Sequence, residues 1–196
     1  MRIIGGKLKG SNLYISQNLS TRPLKDLVRE SIFNLLIHSN KISFKFEKIN
    51  VLDLYSGTGS FGLECLSREA NGVCFVENSD EAIKILKKNV EKLNLNNRTK
   101  IFSGDVFKEI EKKEIYESKF NLIFCDPPFK NTDVEKLINS IIEKNLLEKN
   151  GVIVLHRNKT SKENFSNKFK KIDERIYGVS KIIFGAVLIW KKFLSF

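Results

Sequence analysis

Cysteine is scarce in this 196-residue chain, and the three present, Cys65, Cys74 and Cys125, stand singly among apolar neighbours. Without a CxxC pair, neither a zinc site nor a disulfide framework is expected, and all three are read as reduced core residues. Long apolar runs are missing too: no stretch reaches the roughly eighteen residues of a membrane span. The opening MRIIGGKLKG has neither the apolar stretch nor the small-residue cleavage site of a secretory signal. The expectation is a soluble, cytoplasmic protein with no membrane partner. No internal repeat, no Pro- or Gly-rich linker and no low-complexity tract interrupts the chain. With 41% hydrophobic residues it is long enough to bury one core and too short for two ordinary domains, so residues 1–196 are read as a single domain.

Acidic residues are in deficit, 23 against 34 basic, for a net charge of +11, and the deficit is uneven. Residues 1–29 carry six basic side chains (Arg2, Lys7, Lys9, Arg22, Lys25, Arg29) against Asp26 alone, and residues 156–196 carry ten against three, while residues 30–155 balance to −1. Basic ends on a neutral middle suit a polyanion, because neutralising phosphates releases condensed counterions. A generally solvated lysine surface accounts for the same totals, since Lys outnumbers Arg 27 to 7. Charge alone leaves both readings open.

Residues 1–40 read as an N-terminal extension, a hairpin plus a helix. Arg2–Ile4 and Leu13–Ile15 are expected as short strands joined through Gly5, Gly6 and Gly10, where glycine permits a positive φ. Pro23 suits the first turn of a helix whose apolar stripe is Leu24, Leu27, Val28, Ile32, Leu35 and Leu36. From about residue 49 short apolar runs alternate with amphipathic stretches, the pattern of βαβ units and a parallel sheet. Strands are expected at Ile49–Leu54, Val73–Glu77, Lys100–Ser103, Leu122–Cys125 and Val152–Leu155, with helices at Gly62–Arg68, Asp80–Leu93, Val106–Lys112 and Val134–Lys144. Such continuous hydrophobicity fits a sheet covered on both faces. The end differs: Lys171–Ile176 and Ile182–Trp190, split by Tyr177-Gly178, predict a hairpin in place of another crossover. The expected fold class is α/β, a Rossmann-like, mostly parallel seven-stranded sheet ending in an antiparallel hairpin. That is the build of class I S-adenosylmethionine-dependent methyltransferases, and NAD-binding Rossmann domains do not normally share its ending.

Two stretches point to an adenosine-containing cofactor. Asp53-Leu54-Tyr55-Ser56-Gly57-Thr58-Gly59-Ser60-Phe61-Gly62 runs from a strand end through a Gly-rich turn, with Tyr55 and Ser56 in it, into a helix. Gly57, Gly59 and Gly62 spell GxGxxG, which dinucleotide enzymes share and use to bring a helix N-terminus against pyrophosphate. Asp53 tips the reading: a carboxylate there is awkward beside a pyrophosphate and well placed near the cationic methionine end of S-adenosylmethionine. Glu77, followed by Asn78, ends the next strand, where an acid accepts hydrogen bonds from both ribose hydroxyls of an adenosine cofactor. The competing reading, a helix cap, belongs more naturally to Ser79 or Asp80. Asp105, with Val106 behind it, either accepts from the adenine amino group or caps the helix that starts at Val106; both readings stand.

Asp126-Pro127-Pro128-Phe129, straight after the fourth apolar strand, decides the chemistry. Two consecutive prolines fix the backbone, remove two donors and leave carbonyl acceptors exposed. An amino group conjugated to a purine ring is a poor nucleophile because its lone pair is delocalised. A carboxylate and a rigid carbonyl that accept both of its N–H bonds favour the pyramidal amine and hold its lone pair toward the methyl group. Phe129 offers a stacking face for an extruded base. Neither a metal nor a covalent nucleophile is required. His156 is read as a strand-end residue in preference to a catalytic base, because a methylated amine can lose its proton to water.

Taken together these motifs resemble the RsmD-like family of 16S ribosomal RNA guanine-N2 methyltransferases, along nearly the whole chain. Arg2-Ile3-Ile4-Gly5-Gly6 with Lys9-Gly10 is similar to that family's start, and Thr21-Arg22-Pro23 through Val28-Arg29-Glu30-Ser31-Ile32-Phe33-Asn34 to its second hallmark. The stretches Asp53–Gly62 and Asp126–Phe129 complete the likeness; the DPPF element alone is shared with DNA adenine-N6 methyltransferases. The resemblance implies a class I fold, S-adenosylmethionine as cofactor with S-adenosylhomocysteine as product, and methylation of one guanine in ribosomal RNA, within an assembled or assembling small subunit. Two departures stand out. Leu24-Lys25 replaces a threonine-rich dipeptide, and His156-Arg157 stands where the family commonly has an acidic pair. Arg2, Lys7, Lys9, Arg22 and Arg29 are expected to grip the RNA backbone, against the plainer reading of Arg29 and Glu30 as an exposed helix face. The rivals are a DNA or protein amine methyltransferase, for which no separate target-recognition domain is present, and a binding-only assembly factor, which has no need of a carboxylate at Asp126. An NAD oxidoreductase lacks any residues for hydride transfer.

Overall fold

The structure, a computed structural model, describes residues 1–15, 26–42, 44–130 and 133–188. A helix, α1 (Asp26–His38), precedes a run of β1 (Asn50–Leu54), α2 (Ser60–Ser67), β2 (Gly72–Glu77), α3 (Asp80–Lys92), β3 (Thr99–Ser103), α4 (Val106–Glu109), α5 (Lys113–Tyr116), β4 (Phe120–Cys125), α6 (Val134–Glu143) and β5 (Leu147–Asn158). Two further strands, β6 (Phe169–Tyr177) and β7 (Ser180–Val187), close the described chain. All seven strands form one sheet in the order β3-β2-β1-β4-β5-β7-β6, with β1 to β5 parallel and β7 antiparallel to both β5 and β6. This is the expected parallel sheet with a terminal hairpin.

Alternate residues of each strand face opposite ways, and both sets are apolar, so helices cover both faces. On one face Val51, Phe75 and Phe124 join Ile32 and Phe33 of α1, Phe61 of α2 and Leu86 of α3; on the other, Leu52, Leu54 and Ile123 join Val106, Ile115, Leu137 and Ile141. Phe61 stacks on Phe124 with ring centroids 3.8 Å apart. Helix α3 starts cleanly because Ser79 caps it through Ala82 N–H, with Asp80 and Glu81 in the first turn and Lys92 in the last.

Four expectations need correction. Arg2–Ile4 and Leu13–Ile15 do pair antiparallel, but only as a single bridge, Arg2 to Asn12, with Ile3 N–H donating to the Ser11 carbonyl and Leu13 N–H to the Met1 carbonyl, each at 2.9 Å, and they do not extend into strands. Beyond the bridge, helix side chains take the backbone groups: Ile4 and Gly5 N–H donate to the Glu64 carboxylate at 2.7 and 2.8 Å, and Tyr14 N–H to Asn89 Oδ1 at 2.8 Å. The stripe of α1 is rotated, with Val28, Arg29, Ile32, Phe33 and Leu36 buried and Leu27 70% exposed. The helix expected over Val106–Lys112 breaks, because Lys112 is extended and starts a second short turn, α5. Strand β5 is far longer than Val152–Leu155: past the end of β4 it keeps pairing with β7 through His156, Arg157 and Asn158. Pro23, Leu24 and Trp190 lie outside the described residues. Among the described residues, no helix is long and apolar enough to cross a membrane.

Candidate active site

The strand order reverses between β1 and β4, and in open α/β sheets the crevice outside the carboxyl ends of the strands at such a switch point is where ligands bind. Both motif loops emerge there. Leu54 ends β1 opposite Cys125, which ends β4, and Asp126 N–H donates across the gap to the Leu54 carbonyl at 3.2 Å.

The Gly-rich turn is held by two carboxylates. Asp53 is 1% exposed, and its Oδ2 accepts from Gly62 N–H at 3.0 Å, which ties the start of α2 to the strand beneath it. Its Oδ1 is buried without a hydrogen-bond partner among the described residues. Burial pushes the Asp53 carboxyl well above its usual range; the Gly62 N–H opposes this, and the charges of Asp126 and Glu77 add to it. Glu77 accepts from Gly57 N–H at 2.8 Å through Oε2, and from Asn78 and Ser79 N–H at 2.9 Å through Oε1. A carboxylate offers about four lone-pair sites, so three are used within the protein and the remaining one is on Oε2. Tyr55, Gly57 and Gly59 all have positive φ (59°, 55° and 84°). A Cβ on Gly57 would meet nothing within 4 Å, whereas on Gly59 it would lie 2.3 Å from Leu86 Cδ1 and on Gly62 2.4 Å from Phe75 Cε1. The second and third glycines therefore serve packing, and the first leaves open space. Ser56 Oγ is buried and unpartnered among the described residues. Asn78 is exposed beside Glu77, and Val106 belongs to the core. Asp105 caps α4, accepting from Phe107 and Lys108 N–H through Oδ1, so the cap reading is realised. Glu77 and Asp126 add to the upward push on the Asp53 carboxyl, and that mutual repulsion favours a cationic ligand at this turn over a pyrophosphate.

The Asp126–Phe129 loop is held from the other side. Asp126 Oδ1 meets His156 Nδ1 at 2.7 Å, and His156 Nε2 meets Ser180 Oγ at 2.9 Å. His156 is 5% exposed, and its ring stands edge-on to Phe129 at 5.2 Å between centroids. Phe129 itself is 40% exposed, Pro127 is buried and Pro128 exposed. Arg157 donates to the Pro128 carbonyl at 3.3 Å and to Glu163 at 3.0 Å, and Lys181 pairs with the same Glu163 at 2.7 Å. Burial raises the Glu163 carboxyl, but hydrogen bonds from Lys181, Ser161 and Arg157 outweigh it and the net direction is downward. His156 thus does more than end a strand. Sequence reasoning read it as a strand-end residue, noted Arg157 only as a departure from an acidic pair, and passed over Ser180 and Glu163; that departure at 156–157 was the one visible signal.

Among the described residues, Arg29 and Lys7 do not belong to a basic face beside this crevice. Arg29 is fully buried, its Nη2 donating to the Arg2 carbonyl and pairing with Asp26 at 3.1 Å, and burial lowers its pKa. It holds the N-terminal segment onto α1 and offers RNA no contact, which corrects both expectations for it. Lys7 pairs with Glu69 at 2.6 Å beyond the end of α2, where Glu69 and Asn71 bond to Lys48 and Ile49 at the amino edge of the sheet, opposite the crevice. Arg2 and Lys9 are exposed, and Arg22 lies outside the described residues. Among the described residues, no group of three or more His, Cys, Asp or Glu is arranged to hold a metal ion.

Residues 1–186 match the family model described as "Conserved hypothetical protein 95". YlbH of Bacillus subtilis is 36% identical over 154 residues, 79% of this chain and 80% of that one. Ribosomal RNA small subunit methyltransferase D of Escherichia coli K12 is 32% identical over 151 residues, 77% of this chain and 68% of that one. The chain belongs to the RsmD family. Among solved structures, the yhhF protein of Escherichia coli superposes with a TM-score of 0.82 at 24% identity, covering 97% of this chain and 99% of that one. The sheet order and this likeness make the fold that of class I methyltransferases.

Proposed function

We propose that this protein transfers a methyl group from S-adenosylmethionine to the exocyclic N2 amine of a guanine in small-subunit ribosomal RNA. The observation that carries the reading is the meeting of the two motif loops at the switch point, with Asp126 bonded across to the end of β1 and, beside it, a Gly-rich turn clamped by the Asp53 and Glu77 carboxyl groups. Membership of the RsmD family and the name of the Escherichia coli relative support the substrate class.

S-adenosylmethionine, when bound, supplies an electrophilic methyl on a sulfonium. Asp53, Tyr55, Ser56 and Gly57 line the turn that receives its methionine end, and the buried, unpartnered Asp53 Oδ1 and Ser56 Oγ are the acceptors and donors left over for it. Glu77 shapes the turn through Gly57 and keeps one lone pair for a ribose hydroxyl; Asn78, Asp105 and Val106 border the adenosine end. On the target side, Asp126 and the Pro127 carbonyl accept the two amine N–H bonds, and exposed Phe129 stacks on the base. The amine lone pair forms the new N–C bond, the S–C bond breaks to a neutral thioether, and the surplus proton leaves through Asp126 or water. In this reading residues 1–40 are an RNA-contacting extension of a single cytoplasmic domain, with Arg2, Lys9 and Arg22 as its phosphate contacts.

The test is to incubate the protein and labelled S-adenosylmethionine with RNA, DNA and small ribosomal subunits, then identify the methylated nucleoside. N2-methylguanosine in small-subunit RNA is expected; N6-methyladenine in DNA, or no transfer to any of them, overturns the reading.

A further inference from the structure

We propose that His156 is a positioning residue for methyl transfer: through Nδ1–H it holds Asp126 Oδ1, so that Oδ2 is the oxygen presented to the target amine, and Ser180 fixes the tautomer that allows this. The inference rests on the reading of Asp126 as the acceptor for that amine.

The geometry comes from three elements. Asp126 follows β4, His156 lies one residue beyond the Cys125–Leu155 pairing that joins β4 to β5, and Ser180 opens β7. As a carboxylate Asp126 only accepts, so the nitrogen 2.7 Å from it carries the proton. The neutral ring then has its lone pair on Nε2, where the Ser180 hydroxyl donates at 2.9 Å. Both ring nitrogens are used, the ring is 5% exposed, and its position is further set by the edge of Phe129. A buried histidine held at both ends orients its carboxylate partner as a metal site's outer hydrogen bonds orient a ligand.

The same proton placement argues against a relay. The nitrogen facing Asp126 already bears hydrogen, so it has no lone pair with which to receive the proton released by the methylated amine; that proton leaves from Oδ2 or to water. The groups facing His156 and its partner are Asp126 after β4, Ser180 on β7 and the Phe129 ring, with Arg157 engaged at the Pro128 carbonyl.

His156→Leu removes the donor, His156→Asn keeps an amide N–H where Nδ1 sits, and Ser180→Ala removes the tautomer lock. All three are compared with wild type on whichever nucleic acid the wild type methylates, by single-turnover rate, KM, cofactor affinity and thermal unfolding. Losing a hydrogen bond to a charged group predicts a roughly 10- to 100-fold lower rate for His156→Leu, with KM and cofactor affinity little changed. His156→Asn should recover most of that rate. Ser180→Ala should lie between wild type and His156→Leu. Equal rates for folded His156→Leu and wild type, or for the Leu and Asn variants, overturn the proposal. A direct arm needs no turnover: the chain has two histidines, so nitrogen NMR with His38 substituted reports His156 alone. The Nδ1–H tautomer is expected, and an Nε2–H tautomer overturns the proposal. Methylation of a different nucleoside by the wild type would defeat the functional reading instead, and shows in the product and not in these comparisons.

Discussion

The two loops that meet at the crevice are built from the same materials, a strand end and a sharp turn, but are held in opposite ways. The Gly57–Gly62 turn is held by backbone N–H groups donating to Asp53 and Glu77, both on the strands next to it. The Asp126–Phe129 loop is held by side chains of β5 and β7, with His156 on the carboxylate and Arg157 on the Pro128 carbonyl. In the first loop the carboxylates are the clamps; in the second the carboxylate is what is clamped. A cofactor turn that brings its own scaffold is largely self-contained. The target loop depends on strands thirty and more residues away, so its geometry can be retuned without touching its motif.

Removing the clamped carboxylate should have the largest effect. Asp126→Ala is expected to lower methyl transfer by on the order of 10²-fold or more with cofactor affinity little changed; single-turnover rates with a parallel cofactor titration check it, and wild-type turnover would erase the distinction between the loops. Gly62→Ala strikes the cofactor turn through packing. The new methyl would lie 2.4 Å from Phe75 Cε1 and 2.8 Å from Val73 Cγ1. Overpacking of that kind costs about 1–3 kcal/mol, to be read as a lowered denaturation midpoint. Glu77→Ala should weaken cofactor binding by roughly 1–3 kcal/mol, through the Gly57 clamp and the free lone pair on Oε2. Calorimetry is the measurement, and unchanged affinity would remove Glu77 from the cofactor side.

The smallest effect sharpens the comparison through pH. The Glu163 carboxyl, which braces Arg157 and Lys181, lies below its ordinary 4.5 in the folded protein. Its stabilising contribution is therefore complete above that ordinary value and is lost as pH falls through the lowered one. Glu163→Gln should be less stable than wild type near neutral pH, and the gap between their unfolding midpoints should close on acidification. A gap that persists at low pH would show that the brace is steric and not ionic.

Much of this protein was determined by sequence alone. Period-two and period-3.6 hydrophobicity sets the order of strands and helices, and glycine, proline and acid at strand ends mark both loops, because these are local constraints on backbone and solvation. Three things only the tertiary structure decided. Arg29 is buried although charged, because Asp26 and the Arg2 carbonyl close over it, and a binary pattern reads any arginine as surface. The N-terminal hairpin shrinks to one bridge, and past it the backbone turns to Glu64 and Asn89, partners more than fifty residues distant in the chain. The Asp126–His156–Ser180 chain exists because β5 outruns β4 and pairs with an antiparallel β7. Strand length past a neighbour's end depends on which strand lies beside it, and that pairing is written in no local segment.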